Sequence, residues 1–128
     1  GKAIAMAQIA LGTDVIFHAS GSTGHGVFEA AKSAGVSAIG VDADQWDEAP
    51  GTIITSMIKR ADVAVFDAIA GARDGSLRGG MREFGLREKG LDYVHEGPHA
   101  VRLDDRVRAR VAELRQRIIS GSIVVPEQ

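Results

Sequence analysis

The stretch "TDVIFHASGSTGHGVFEAAKSAG", residues 13–35, decides how the chain folds. It opens with a continuous apolar run, which is typical of a strand buried on both faces of a parallel sheet. A glycine-rich turn follows, and behind it apolar residues recur at helical spacing at Val27, Ala30, Ala31 and Ala34. A further glycine then ends the pattern, as it ends many helices. Strand, glycine turn and helix in this order predict an α/β fold.

The same alternation continues on both sides of this stretch. Residues 2–11 are Ala-rich and end at Gly12, which predicts a short helix. Residues 36–44 predict a second buried strand that ends in acids, residues 52–60 a third strand rich in β-branched side chains, and residues 61–75 a helix with one apolar face. This order of elements indicates a parallel sheet with helices packed on both of its faces.

The C-terminal third is less regular. Residues 76–94 contain four glycines among alternating residues and predict short strands or a hairpin-like excursion. Residues 103–121 predict the clearest helix, which Asp104 or Asp105 would cap and Gly121 would end. Its apolar stripe consists of Val107, Val111, Leu114 and Ile118. Its many arginines are interpreted as the solvated face.

Composition limits the classes of function. The 128 residues are about one domain in length, and 15 basic against 17 acidic residues give no electrostatic reason to expect nucleic acid or an anionic membrane as partner. The absence of cysteine excludes disulfides and thiolate metal sites. No apolar stretch approaches the ~20 residues that span a bilayer. Because the chain opens without Met or an export signal, we expect it to be processed or cut from a longer one.

The turn from Ser20 to Gly24 is the first candidate binding site. Helix N-termini present unpaired N–H groups, and glycine lets a ligand approach the backbone closely, so the turn at Gly21, Gly24 and Gly26 is a candidate site for a polar or anionic group. The acids 16 and 18 residues after Gly26 imitate the ribose-binding acid of a dinucleotide site. The glycines run G-x-x-G-x-G, however, and not G-x-G-x-x-G. A purely structural turn therefore stays open as an alternative.

Three acids, Asp42, Asp44 and Asp47, lie around the carboxyl end of the second predicted strand. Ligands of open α/β sheets bind at such strand ends, where carboxylates can accept hydrogen bonds from sugar hydroxyls or coordinate a hard cation. The alternative is a solvated loop with an Asx turn before Trp46.

Two basic residues, Lys59 and Arg60, end the next predicted strand. They could reach a ligand at the same strand ends, or they could simply be exposed to solvent. His95 and His99 are interpreted as a loop feature because they flank a proline and do not lie on a predicted helix. No metal site or cofactor is predicted, and the absence of a G-x-S-x-G motif leaves hydrolysis unsupported.

Three separated motifs together resemble the basic membrane protein family. They are "GTDVIFHASGSTGHGVFEAAKSAG" (residues 12–35), "AIGVDADQWDEAPGTIITSMIKRADVAVFDAI" (residues 38–69) and "GSLRGGMREFGLREKGLDYV" (residues 75–94). Members of this family are the substrate-binding lipoproteins of nucleoside ABC importers. The resemblance runs from about Gly1 to Pro126 but covers only the C-terminal portion of the family's sequence. It therefore implies a fragment or a truncated member.

The resemblance implies the periplasmic-binding-protein type I fold, in which two α/β lobes hold a ligand between them and close by hinge motion. Residues 1–128 would form a single α/β unit, mostly the second lobe. Residues 1–51 would supply its βα units, and residues 52–128 the hinge-crossing strand, a helix, glycine-rich strands and the C-terminal helix. This sequence departs from the family pattern at His18, Ser20 and His25, where apolar residues or alanine are usual. These differences bear on which ligand is bound and not on the fold.

The resemblance also assigns roles to individual residues. The turn from Ser20 to Gly24 would face the base or sugar, Asp42 would accept hydrogen bonds from the ribose hydroxyls, Asp44 is the neighbouring candidate, and Lys59 would donate to the ligand near the hinge. The aromatic side chains that sandwich the base are expected outside this chain.

The resemblance predicts a nonenzymatic binding protein for a nucleoside or related ribosyl compound. Its expected partners are the permease and ATPase of an ABC importer, and its expected location is the extracytoplasmic side of the cell envelope. Two alternatives remain: a Rossmann-type nucleotide-dependent enzyme domain, and a regulatory binding module without a transporter. An apolar face left by an absent lobe would favour pairing with a second copy.

Overall fold

A computed structural model describes residues 1–126, and the chain divides into two compact units. The first unit contains Gly1–Ile58 and Tyr93–Asp104, and the second contains Lys59–Asp92 and the residues from Asp105 onward. The helices and strands are α1 (Lys2–Ala10), β1 (Val15–Phe17), α2 (Gly24–Ala34), β2 (Ser37–Gly40), β3 (Ile53–Lys59), α3 (Ala61–Asp74), β4 (Leu91–Tyr93) and α4 (Asp105–Ile119). None of the helices in the described part of the chain combines the length and apolar character needed to cross a membrane.

The four strands form one sheet in the order β1-β2-β3-β4. β1 pairs with β2 and β2 with β3, both in parallel. The fourth strand runs antiparallel to β3, because Arg60 N donates to Gly90 O and Val94 N donates to Ser56 O, so that residue numbers rise along one strand as they fall along the other. The predicted parallel α/β sheet is confirmed for its first three strands, with an antiparallel strand added at one edge.

The core of the first unit lies between α2 and the parallel strands. Phe28 and Ala31 of α2 pack with Ala38, Ala49 and Ile53, and none of these five residues is more than 3% exposed. A second cluster joins α1 to α2 and β1 and consists of Ala5, Ile16, Val27 and Ala30. The predicted helix is confirmed, and its end is set by Gly35, whose φ of 70° places it in the left-handed conformation that glycine adopts readily.

The first strand is less buried than its sequence predicts. Only Ile16 is buried, whereas Val15 is 42% exposed and Phe17 is 54% exposed. The prediction of burial on both faces was therefore wrong for β1. An apolar run identifies a strand, but it does not show whether this chain supplies elements that cover both faces of that strand. β1 also lies at the edge of the sheet.

The second unit contains two confirmed helices, α3 with exposed apolar residues and α4 with a mostly half-buried apolar stripe. Gly71 is the buried residue of α3, while Val65, Phe66 and Ile69 are 58%, 75% and 64% exposed. The C-terminal helix α4 begins at Asp105 and contains no buried residue, although its Arg115 donates to Asp92 at 2.5 Å.

The predicted glycine-rich strands are mostly wrong. Residues 76–90 form bends and turns, and β4 is the one strand that follows within the predicted segment. Gly80 has a φ of 123° and Lys89 a φ of 58°, which are not strand conformations. The alternating residues between the glycines predicted strands, but the backbone angles at positions such as Gly80 and Lys89 interrupt any strand there.

Candidate functional site

The turn after β1 is built around the buried side chain of His18. Its ring lies edge-on to Phe28 with centroids 4.9 Å apart, and its Nδ1 is 3.3 Å from the Ser20 hydroxyl. A Cβ atom at Gly24 would lie 2.2 Å from His18 Cε1, so only glycine lets the start of α2 pass this close to the imidazole. Gly24 is buried, whereas Gly21 and Ser22 are exposed in a short 3-10 turn that precedes the helix. Gly24 therefore shapes the turn, and the exposed residues remain available to a ligand.

Burial lowers the pKa of His18, because a charged imidazole is disfavoured away from water. The negative charges of Glu48 and Asp42 act in the opposite direction, and His25 adds to the lowering. His18 Nε2 has no hydrogen-bond partner among the described residues and is itself buried. A neutral ring is therefore the form that this turn accommodates at neutral pH.

Asp42 occupies an unusual backbone conformation directly after β2. Its φ is 72°, and Ala43 N donates to Val41 O at 2.9 Å, which closes a three-residue turn with Asp42 at its centre. A positive φ in a γ-turn is rare and strained for a residue that carries a Cβ. Its side chain is exposed. Strained residues of this kind concentrate at ligand sites, where the surrounding structure maintains them.

A partly buried network of hydrogen bonds maintains the turn at Asp42. Val41 N donates to Gln45 Oε1 at 2.7 Å, and Gln45 N donates to the hydroxyl of Ser56 at 3.1 Å. Ser56 is fully buried in β3, and it approaches Gly40 so closely that a Cβ there would lie 2.4 Å from its hydroxyl oxygen. The loop after β2 is thus bonded to the neighbouring strand on one side.

Asp44 holds the other side of the same loop. Its Oδ1 accepts from Trp46 N at 3.1 Å, which confirms the Asx turn considered from the sequence. Its Oδ2 lies 2.6 Å from His99 Nδ1, and the ring of His99 stacks on Trp46 with centroids 4.5 Å apart and planes 6° from parallel. Asp44 is therefore engaged within the loop that carries Asp42.

The structure brings two of the predicted segments to one edge. The Ser20–Gly24 turn follows β1 and the Asp42 loop follows β2, and the carboxyl ends of these paired parallel strands lie side by side. Lys59 is exposed, is the last residue of β3 and belongs to the second unit. Arg60 is engaged by Asp62 at 2.7 Å, and the bonded carboxylate raises the pKa of the arginine.

Sequence reasoning missed Gln45, Ser56 and His99 as parts of this arrangement. Gln45 and Ser56 lie within a quoted motif, but no spacing marks them as partners, and His99 lies 55 residues from the acid that it contacts. A second contact of the turn region, between His25 Nδ1 and Glu48 Oε2 at 2.7 Å, also joins distant segments. Within residues 1–126, no three His, Asp or Glu side chains cluster as they would to hold a metal ion.

Comparison with known proteins decides the family. Residues 1–128 match the Bmp family, described as ABC transporter substrate-binding protein, PnrA-like. The chain belongs to this family. The CD4+ T-cell-stimulating antigen of Listeria monocytogenes is 41% identical to it over 145 aligned positions, covering 100% of the chain and 40% of the relative. The nucleoside-binding protein BmpA of an ABC transporter in Lactococcus lactis is 30% identical with the same coverage.

A solved structure supports the fold. The solute-binding protein of an ABC transporter system from Aeropyrum pernix K1 superposes with a TM-score of 0.75 at 31% identity, covering 99% of the chain and 44% of that structure. The fold is accordingly the α/β periplasmic-binding-protein type I fold, present here in part. The chain spans about 40% of the length of the curated relatives described above. Relatives include lipoproteins, and membership of the Bmp family places the chain on the extracytoplasmic side of the cell envelope.

Proposed function

We propose that this Bmp-family chain provides one side of the ligand cleft of an ABC importer's substrate-binding protein, and that its ligand is a nucleoside or related ribosyl compound. The observation that carries the proposal is Asp42, an exposed carboxylate on a strained γ-turn at the carboxyl edge of a parallel sheet. A fixed carboxylate accepts two hydrogen bonds from neighbouring hydroxyls, and the 2′- and 3′-hydroxyls of a ribose are such a pair. The nucleoside-binding name of the Lactococcus relative supports this ligand class.

The turn from Ser20 to Gly24 is the second element of the proposed site. Ser20 and Ser22 supply hydroxyls, and the exposed Gly21 leaves the backbone of the turn without a side chain in front of it. These groups are uncharged, and the base and sugar of a nucleoside offer uncharged donors and acceptors to match. In this proposal Asp44 fixes the loop that carries Asp42, and the donor role of Lys59 stays a prediction of the family resemblance.

In the proposed function the chain binds its ligand and leaves it chemically unchanged. The ligand would pass to the permease and ATPase of the cognate importer. The family match gives no support to the Rossmann-type enzyme as an alternative. Affinity would come from burial of the ligand between two lobes, as the fold family implies, so residues 1–128 alone are expected to bind weakly.

A ligand panel tests the proposal. The gene product that contains this chain is titrated by calorimetry with inosine, guanosine, adenosine, cytidine and uridine, and with free ribose and NAD as controls. We expect saturable binding of at least one nucleoside and no binding of NAD. If a folded protein binds none of the five nucleosides, the proposed ligand class is refuted. Binding of NAD alone would favour the dinucleotide alternative.

A further inference from the structure

We propose that His99 is a positioning residue for ligand binding, because it locks the loop that carries Asp42 without touching the ligand. The inference rests on the proposed function, in which Asp42 meets the ligand. Residues 93–104 belong to the first unit and lie between two segments of the second. This segment, here called the strap, carries His99.

The strap is firmly attached to the first unit. Val94 N donates to Ser56 O at 2.9 Å, and Thr55 Oγ1 donates to Val94 O at 2.7 Å. Ala100 and Leu103 are 1% and 8% exposed, so the strap is also anchored by apolar burial. His99 therefore projects from a fixed segment and is not the tip of a mobile loop.

From this segment, His99 makes two different contacts with the loop. Its Nδ1 is 2.6 Å from Asp44 Oδ2, and an ionised carboxylate only accepts hydrogen bonds, so Nδ1 carries the proton and donates. The same ring covers the indole of Trp46 at a centroid distance of 4.5 Å. Arg102 of the strap also donates to the carbonyl of Gly51, at the far end of the connection between β2 and β3.

These contacts complement the network on the opposite side of the loop. Gln45 is bonded through Ser56 to β3, while Asp44 and Trp46 are bonded and stacked to the strap. Only three residues separate Val41 from Gln45, so the strained turn at Asp42 is closed between two fixed attachments. Without His99, the Asx turn would be held on one side only, and Asp42 could relax from its positive φ.

Two single substitutions separate the hydrogen bond from the stack. His99→Asn places an amide nitrogen where Nδ1 was and retains donation to Asp44 but loses the ring. His99→Phe retains a ring over Trp46 and loses the donor. His99→Ala removes both contacts, and Val101→Ala is the matched control because Val101 lies on the same strap and is 73% exposed.

Calorimetry of the gene product with its best nucleoside measures the effect. We expect His99→Ala to raise Kd by about tenfold, and His99→Asn to restore part of the loss, since a tenfold change corresponds to about one good hydrogen bond. Val101→Ala should bind like the wild type. Unchanged affinity in a folded His99→Ala protein would overturn the proposal, as would a loss that His99→Asn and His99→Phe both fail to reduce.

Trp46 gives a readout that does not depend on the ligand. It is the single tryptophan of residues 1–128, and a ring stacked on an indole alters its emission, so the difference spectrum against Trp46→Phe reports the stack. We expect the Trp46 emission to change in His99→Ala and His99→Asn. If no nucleoside binds but this emission change is seen, the proposed function fails while the His99 contact stands. An unchanged emission spectrum would overturn the contact itself.

Discussion

Asp42 holds a conformation that a residue with a Cβ adopts rarely, and this single residue links the fold to the proposed function. The cost of such a backbone is about 1–2 kcal/mol. Gln45, Ser56 and Asp44 offset this cost from both sides of the loop. The left-handed conformation at Asp42 could not be predicted from the sequence, because it is imposed by contacts with β3 and with the strap.

His18 is the residue whose protonation the fold opposes. Burial lowers its pKa below the value of the unfolded chain, so the unfolded state binds a proton that the folded state refuses. The contribution of His18 to the free energy of unfolding should therefore be constant well above the unfolded imidazole value of about 6.5 and fall as the pH drops through it. That contribution to the slope should stay below about 1.4 kcal/mol per pH unit, the limit for one proton.

Urea unfolding between pH 5 and 8 checks this expectation against His18→Gln. The variant cannot titrate at position 18, and every other residue is the same in both proteins. We expect a shallower pH dependence for the variant, whatever its absolute stability. Identical slopes for the two proteins would show that His18 does not carry the effect.

At the scale of elements, α2 and α3 have similar sequences but different surroundings. Both were predicted as helices with an apolar face, and both predictions are confirmed. Phe28 of α2 is 3% exposed, whereas Phe66 of α3 is 75% exposed. Periodicity predicts which face of a helix is apolar, but only the partner elements determine whether that face is buried.

This difference predicts that the same substitution, Phe to Ala, lowers the free energy of unfolding of the 128-residue chain strongly in α2 and little in α3. Phe28→Ala should lower the free energy of unfolding by about 3–5 kcal/mol, because it leaves a cavity in a packed core. Phe66→Ala should change it by less than about 0.5 kcal/mol. Denaturant unfolding measures both, with Phe28→Leu as the milder variant if Phe28→Ala does not fold. A large loss for Phe66→Ala would show that α3 is packed in solution.

The sequence was most informative where local rules act and least where distant segments meet. The helix α2 followed from its apolar spacing and Gly35, and the Asx turn from Asp44 two residues before Trp46. The contact between Asp44 and His99 followed from no pattern, since the strap has no regular sequence and only the fold brings it to the loop. The edge position of β1 similarly left Val15 and Phe17 exposed despite their apolar run.

At the scale of the whole molecule, the exposed apolar residues of the second unit predict self-association of the 128-residue chain. Val65, Phe66 and Ile69 form a patch on one helix, and exposed apolar patches are common association surfaces. Size-exclusion chromatography with light scattering should show dimers or larger species that Phe66→Ser combined with Ile69→Ser reduces. A concentration-independent monomer would contradict this expectation.

The central claim is that the Asp42 carboxylate binds ribose hydroxyls, and a double-mutant cycle by calorimetry tests it most directly. The gene product and its Asp42→Asn variant are each titrated with the best nucleoside and with its 2′,3′-dideoxy analogue, and Asp47→Asn serves as the control. We predict that Asp42→Asn weakens binding of the nucleoside by about tenfold or more. The same substitution should have little effect on binding of the analogue, because the analogue lacks the hydroxyls that Asp42 would bind. Equal losses with both ligands would contradict the account.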